Sequence, residues 1–327
     1  MKQVFAAGLL LAGLAVTPGC FLNKGPKTVT IGVSFSDLKT DFAIAEFEAI
    51  NAELRKREIK TLGAIADGDG NKQMEQVRNF ITRRLSGIIV SPGKGAPIPA
   101  IVRAAGDAGI PLVLLHQAGE PNGARTTSVL TDEAALSRAT VEQLLAPVRV
   151  SGKRHKAAIL LGDPRAPQTA DRERGFEDAV RSLDGKVTIA ARIASDGDAA
   201  RAGSALRDAL KSHPDLNLLF VTSDSLLPTV AETLAAAGKF HKIGEPGHIV
   251  LGSADGTPAA YQMLVDRTLD AAGVPDIFHG SEAAVQAIMD FIGGKGGPDR
   301  IIDKGFVISP ETIPQLGSRM WGSQIRR

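Results

Sequence analysis

A chain of 327 residues in which 43% are hydrophobic is long enough for two domains, each with its own core. The formal net charge is +2, with 38 basic and 36 acidic residues interspersed rather than blocked, which leaves no electrostatic footprint for nucleic acid. One Trp and one Tyr provide no platform for stacked bases.

The N-terminus reads as a segment apart from the fold. Met1 and Lys2 give a small positive start, residues 4–16 are continuously apolar, and small residues follow, the pattern of an export signal over 1–19. The apolar run is shorter than the roughly 20 residues that span a bilayer. Cys20, the single cysteine, sits where such a signal is cut. A lone thiol in an exported chain is a liability unless something consumes it, and lipid attached to a new N-terminal Cys20 would do so; ordinary cleavage is the alternative. The stretch TPGC resembles the lipobox of bacterial lipoproteins at Gly19 and Cys20, while Thr17 and Pro18 stand where that motif prefers Leu and a small residue. Residues 20–27 then form a linker.

Beyond the linker the chain alternates regularly. Apolar, β-branched runs at 28–35 (TVTIGVSF), 60–66, 87–91 (GIIVS) and 111–115 predict strands. Amphipathic stretches at 41–58, 71–85 and 97–108 predict helices between them. The run GIPLVLLHQAG, 109–119, stops abruptly at His116 and Gln117. Buried polar groups are costly unless paired, so these two side chains meet either water or a ligand. A second set follows, with strands at 156–161, 186–193, 217–222 and 248–253 and helices at 168–183, 199–212, 226–237 and 258–267. Strands alternating with helices build parallel sheets covered on both faces, so the expected class is α/β with two doubly wound lobes. A helix at 279–293, a Gly-rich turn, a short strand at 303–308 and a basic end are too small for a core of their own and must pack back on the lobes.

In open α/β sheets, ligands bind outside the carboxyl ends of the strands. Ser34 to Phe42, Ser91, His116 with Gln117, Gly162 to Arg172, Ser223 with Asp224, and Asp255 with Gly256 all fall at such ends. Residues scattered along the chain thus point at one cleft between two lobes.

From about Val29 to Ile308 the chain resembles the type I periplasmic solute-binding proteins, especially those for ribose, xylose and related sugars. The resemblance is carried by VTIGVSFSDL (29–38), GNKQMEQVRNFITRRLSGIIVSP (70–92), AGIPLVLL (108–115), TADRERGFEDAV (169–180), FVTSD (220–224) and LGSADGTPAA (251–260). It implies one lobe of 28–131 plus 274–303, a second of 132–273 plus 304–327, and three hinge crossings that let the lobes close on a ligand. It also implies a monomer that delivers a small polar, sugar-like ligand to an ABC permease or a membrane receptor, with no cofactor and no enzymatic activity.

Strand-end position and the resemblance together give candidate ligand contacts at Ser34, Asp37, Asp41, Phe42, Ser91, His116, Gln117, Arg172, Ser223, Asp224 and Asp255. Arg172 matches the family's arginine in R-x-x-G-F, whose fork suits ligand oxygens; pairing with Asp171 or Glu173 on a helix surface is the alternative. Asp255 matches an aspartate that accepts hydroxyl protons, although capping a helix at 257–267 would use it equally well. Asp224 carries the same ambiguity, and Ser223 stands where sugar binders often have Asn. Ribose-type members commonly carry Asp-Arg where this chain has His116-Gln117, so both charges are gone here. Phe42 is one candidate ring platform where a pair of aromatics is common. Asp37 is similar to xylose-type members. Gly273 stands where a ligand-binding Gln is expected.

Other motifs fail on spacing. Asp67, Asp69 and Asn71 begin like a calcium loop, but Lys72 and Arg78 replace its required Gly and Glu, leaving a strand-to-helix turn with an Asx cap. No phosphate loop, dinucleotide fingerprint or G-x-S-x-G elbow is present, and the six histidines are dispersed, which argues against a metal site. A gene regulator with this effector fold would need an N-terminal helix-turn-helix, and the export signal occupies that place.

Overall fold

The computed structural model describes residues 28–325 other than 120–124, 152–153 and 184. The export segment and Cys20 lie outside the described residues.

The first sheet contains β1 (Thr30–Phe35), β2 (Lys60–Ile65), β3 (Gly87–Ser91), β4 (Leu112–Leu115), β5 (Thr126–Thr131) and β11 (Arg300–Asp303), in the order β11-β5-β4-β3-β1-β2. Every pairing in it is parallel. Helices α1 (Asp41–Lys56) and α9 (Ile277–Ile292) cover one face, while α2 (Gly70–Thr82) and α3 (Ile98–Asp107) cover the other. The second sheet contains β6 (His155–Leu161), β7 (Val187–Ala194), β8 (Leu218–Val221), β9 (Val250–Ala254), β10 (Ala271–Val274) and β12 (Phe306–Ile308), in the order β12-β10-β9-β8-β6-β7. Only β12 runs antiparallel, against β10. Its helices are α4 (Glu133–Ser151), α5 (Pro167–Arg181), α6 (Ala199–Ser212), α7 (Leu227–Ala236) and α8 (Pro258–Val265), and α10 (Ile313–Leu316) follows in the tail. Two doubly wound α/β lobes result.

The elements form where the pattern demands. Asp69 caps α2, accepting from the backbone N–H of Asn71 and Lys72, as the DGDGN turn requires. Thr40 caps α1 through Ala43 N–H, and its apolar stripe of Ile50 and Leu54 lies against the sheet. Gly32 is a close approach: a Cβ there would stand 2.4 Å from the Phe80 ring, so only glycine lets α2 lie this near β1.

Three elements depart from the sequence pattern. β5 reads TTSVLT, and its Thr126, Thr127 and Ser128 are buried although polar, so no apolar run announces it. Helix α4 buries Ser137 and Thr140 among Leu136, Val141, Leu144 and Leu145 and contains Pro147, which blurs its period. β10 is AAGV, small residues fitted under α4. A Cβ on Gly273 would meet Thr140 Oγ1 at 2.5 Å, so no Gln fits at this position. The single strand expected at 303–308 is two: β11 ends the first sheet and β12 edges the second. Gly305 turns the chain between them at φ +58°, where a Cβ would stand 2.6 Å from Val274 O.

The chain passes between the sheets at 131–133, 274–277 and 303–306. Helix α1 also joins the two bodies, because Phe42, Ala45 and Ala49 pack against the second lobe's core beside Ile277, Met320 and Trp321.

Candidate ligand-binding cleft

On the first lobe, β4 is followed by His116, whose φ of +60° turns the chain out of the sheet while its N–H still donates to Val129 O. His116 Nε2 lies 2.6 Å from Glu46 Oε1. Phe42 and Glu46 are four residues apart on α1 and so share a face; the Phe42 ring lies 5.4 Å from that of His116. His116 remains 39% exposed at its side chain while Glu46 is 7% exposed. Burial works to lower the histidine's pKa, but the charge and hydrogen bond of Glu46, with the charges of Glu133 and Asp303, win and raise it. Beside this pair, Asp276 and Asp303 line a cavity of about 20 Å³, room for one water. Asp303 accepts from Asp276 N–H and faces His279, and Arg319 grips Asp276, so each chain crossing carries a carboxylate with a partner.

On the second lobe the centre is Arg172, 3% exposed on α5. Its Nε donates to Glu133 Oε2 at 2.7 Å, its Nη1 donates to Thr222 O at 2.7 Å, and Nη1 lies 2.6 Å from Asp255 Oδ1. Burial opposes the charge, yet Asp255 and Glu133 more than offset it and hold the guanidinium's pKa above its ordinary value. Asp255 Oδ2 accepts from Ser223 Oγ at 3.0 Å and from Asp224 N–H at 3.2 Å. Asp255 itself has φ +127°, a strained conformation for a side-chain-bearing residue, held by Asp255 N–H to Gly273 O and by Trp321 Nε1 donating to Asp255 O at 2.7 Å.

The two centres meet at the aromatic residues. Trp321, 1% exposed, presents its ring to Phe42 edge-on at a centroid distance of 5.7 Å. His116, Phe42, Trp321, Asp255, Arg172 and Ser223 thus form one connected chain of contacts drawn from both lobes. Asp37 Oδ1 accepts from Lys39 N–H in the loop before α1, Asp41 starts α1, and Gln117 is half-buried after His116.

Several expected contacts are turned elsewhere. Ser34 is fully buried, and its hydroxyl donates to Gln76 Oε1 on α2. Ser91 ends β3 half-buried, its carbonyl held by Ser36 N–H and Gln73 Nε2, which leaves its hydroxyl as a candidate contact. Asp224 is 1% exposed, and its Oδ2 accepts from the N–H groups of Gly256 and Thr257, so it props the loop that carries Asp255. Burial, with the charge of Asp255, pushes its pKa up to about 7. Asp255 does not cap α8; Thr257 does, accepting from Ala260 N–H. Arg172 pairs with neither Asp171 nor Glu173, whose partners are Arg174 and Arg192.

Glu46, Glu133 and Trp321 escaped the sequence reading. Only Glu46 left a trace, its place one helical turn from Phe42. The other two reach the site through the hinge and the C-terminal tail.

A family model described as a periplasmic binding protein domain matches residues 31–296. The chain belongs to this family. Members of the periplasmic binding protein family are binding proteins exported to the periplasm, and among the described residues no helix is long and apolar enough to cross a membrane. The ribose import binding protein RbsB of Bacillus subtilis is 27% identical over 279 residues, 84% of this chain and 85% of that protein. The galactofuranose-binding protein YtfQ of Escherichia coli is 24% identical and covers 75% of this chain and 76% of its own. Among solved structures, the arabinose transporter binding protein of Shewanella sp. ANA-3, bound to L-arabinofuranose, aligns at a TM-score of 0.74 with 21% identity, covering 91% of this chain and 99% of its own. A solute-binding protein from Actinobacillus succinogenes 130z with bound D-allose gives 0.74 and 20%, covering 86% and 98%.

Proposed function

We propose that this periplasmic binding protein captures an uncharged, hydroxyl-rich solute of the sugar class between its lobes and delivers it to an ABC-type importer. The observation that carries the reading is Arg172 paired with Glu133 and Asp255, with Asp255 joined through Trp321 to Phe42 and His116 of the other lobe. A guanidinium whose charge is already offset has no need of an anionic ligand, and a carboxylate that accepts several hydroxyls suits a polyol. An aromatic edge supplies an apolar face for the C–H side of a sugar ring. The relatives named for ribose, galactofuranose, allose and arabinofuranose support the same class.

In this reading the lobes are 28–131 with 274–303 and 132–273 with 304–327, and they close as units about the three crossings. The chain acts as a monomer, binds without turnover, and is tethered through lipidated Cys20. Thermal shift against pentoses and hexoses, offered as furanose- and pyranose-forming members, and against polyols tests the ligand class. Stabilisation by a sugar that vanishes in Phe42→Ala is expected; failure of every member to stabilise the native chain refutes the class. Mass spectrometry of the mature N-terminus tests the tether.

A further inference from the structure

The first lobe has a depression of about 560 Å³ at the end where its strands begin, opposite the cleft. Its floor is Ile81, Leu85, Ile110 and Ile292. Arg84 and Arg125 line its rim; both are exposed, and neither has an ion pair among the described residues. No carboxylate among those residues lines it. Lys60, Arg83 and Arg300, also exposed and unpaired among the described residues, extend the same end, offset only in part by Glu58, Asp107 and Asp299.

Helix dipoles draw bases to helix C-termini, which accounts for Arg83 and Arg84 after α2. Arg300 stands at the start of β11, and Arg125, at the start of β5, lies over the Phe291 ring at 5.9 Å beside the last turn of α9, a contact that leaves its N–H groups without an ion pair among the described residues. Among the described residues the corresponding end of the second lobe leaves Arg154, Lys186 and Lys242 without ion pairs but holds other bases in them. There Lys156 pairs with Asp215, Arg181 with Asp178, Lys211 with Asp208 and Arg267 with Glu311. Position adds a second reason. Thr30 O accepts from the N–H of Ser86, which lines the depression, so the chain enters β1 beside it, and Cys20, the tether of the proposed function, precedes that entry.

We propose that this depression receives the phosphate headgroup of an anionic phospholipid, so that the first lobe rests on the membrane by this end. The guanidiniums of Arg84 and Arg125 hold the phosphate oxygens, and the Ile and Leu floor takes the adjoining glyceride. The surrounding bases add attraction to the charged surface that salt screens. The inference goes beyond solute capture and stands whichever sugar the cleft takes.

All the described elements and core clusters lie within 28–325, so a chain beginning at Lys24 carries the whole fold. Flotation of that chain with vesicles of phosphatidylcholine, with and without phosphatidylglycerol, reads the site directly. Binding to the anionic vesicles alone, weakened by salt, is expected. Each lost charge should weaken it about fivefold, so Arg84→Gln with Arg125→Gln lowers partitioning roughly 25-fold, at about 1 kcal/mol per base. Arg84→Lys with Arg125→Lys should keep most of the binding, and Arg181→Gln with Lys211→Gln on the second lobe should keep all of it. Equal binding to neutral vesicles, or an equal loss from the two Gln pairs, overturns the assignment. Displacement by free inorganic phosphate also overturns it, because the depression would then be a site for a soluble anion. Unchanged unfolding midpoints in the variants exclude misfolding as the cause.

Discussion

Replacing Arg172 with Leu is the most direct probe of how the second lobe is held. The side chain is 4% exposed and sits between Glu133 and Asp255, whose side chains are 17% and 23% exposed, so its removal leaves two carboxylates facing each other with little solvent. Thr222 O loses its donor at the same time. Breaking a buried pair by deleting one partner costs about 3–5 kcal/mol. In a lobe of this size that lowers the melting temperature by on the order of 10 °C. Calorimetry at neutral pH, beside Arg174→Leu as a control, gives the comparison. Arg174 is 60% exposed and pairs only with Asp171, so its loss should be close to neutral. Adding Glu133→Gln to Arg172→Leu should recover part of the loss, because one uncompensated charge disappears. If Arg172→Leu melts with the native chain, the central claim, that this buried arginine holds two half-buried carboxylates together, is wrong.

Three further outcomes follow from the geometry. His116 has a raised pKa in the folded chain, so its pairing with Glu46 contributes fully below the unfolded value of 6.5 and fades as pH rises through the folded value. Melting temperatures of native chain and His116→Gln should therefore differ most near pH 6 and converge at alkaline pH; a gap that widens with pH contradicts the pairing. Gly273→Ala should cost roughly 1–3 kcal/mol by overpacking against Thr140, and Thr140→Ala should relieve it in the double variant. Denaturant midpoints of the four chains decide this. Trp321→Ala removes a fully buried ring and the donor that fixes Asp255 O, so a loss of about 3–5 kcal/mol is expected, with a weaker sugar response than in Trp321→Phe. Equal sugar responses in the two variants would show that the tail supports the fold without shaping the cleft.

The sequence by itself determined the α/β class, the two-lobed repeat and the family. Strands such as GIIVS and KAAILL are apolar on both faces, and the helices between them carry one apolar stripe, so local periodicity states both facts. It also placed His116 and Asp255 at strand ends, and Arg172 on the helix that follows one, because parallel sheets gather such ends on one side. Partners were decided only by the tertiary structure. Glu46 reaches His116 across 70 positions, Arg172 reaches Glu133 across 39, and Trp321 reaches Asp255 across 66. Such pairings depend on where hinges and helices bring distant segments, and nothing within a window of neighbouring residues encodes that distance. For the same reason Ser34 and Asp224, placed correctly at strand ends, turned inward: a strand end has two faces, and packing against α2 or the loop at 255–257 chose between them.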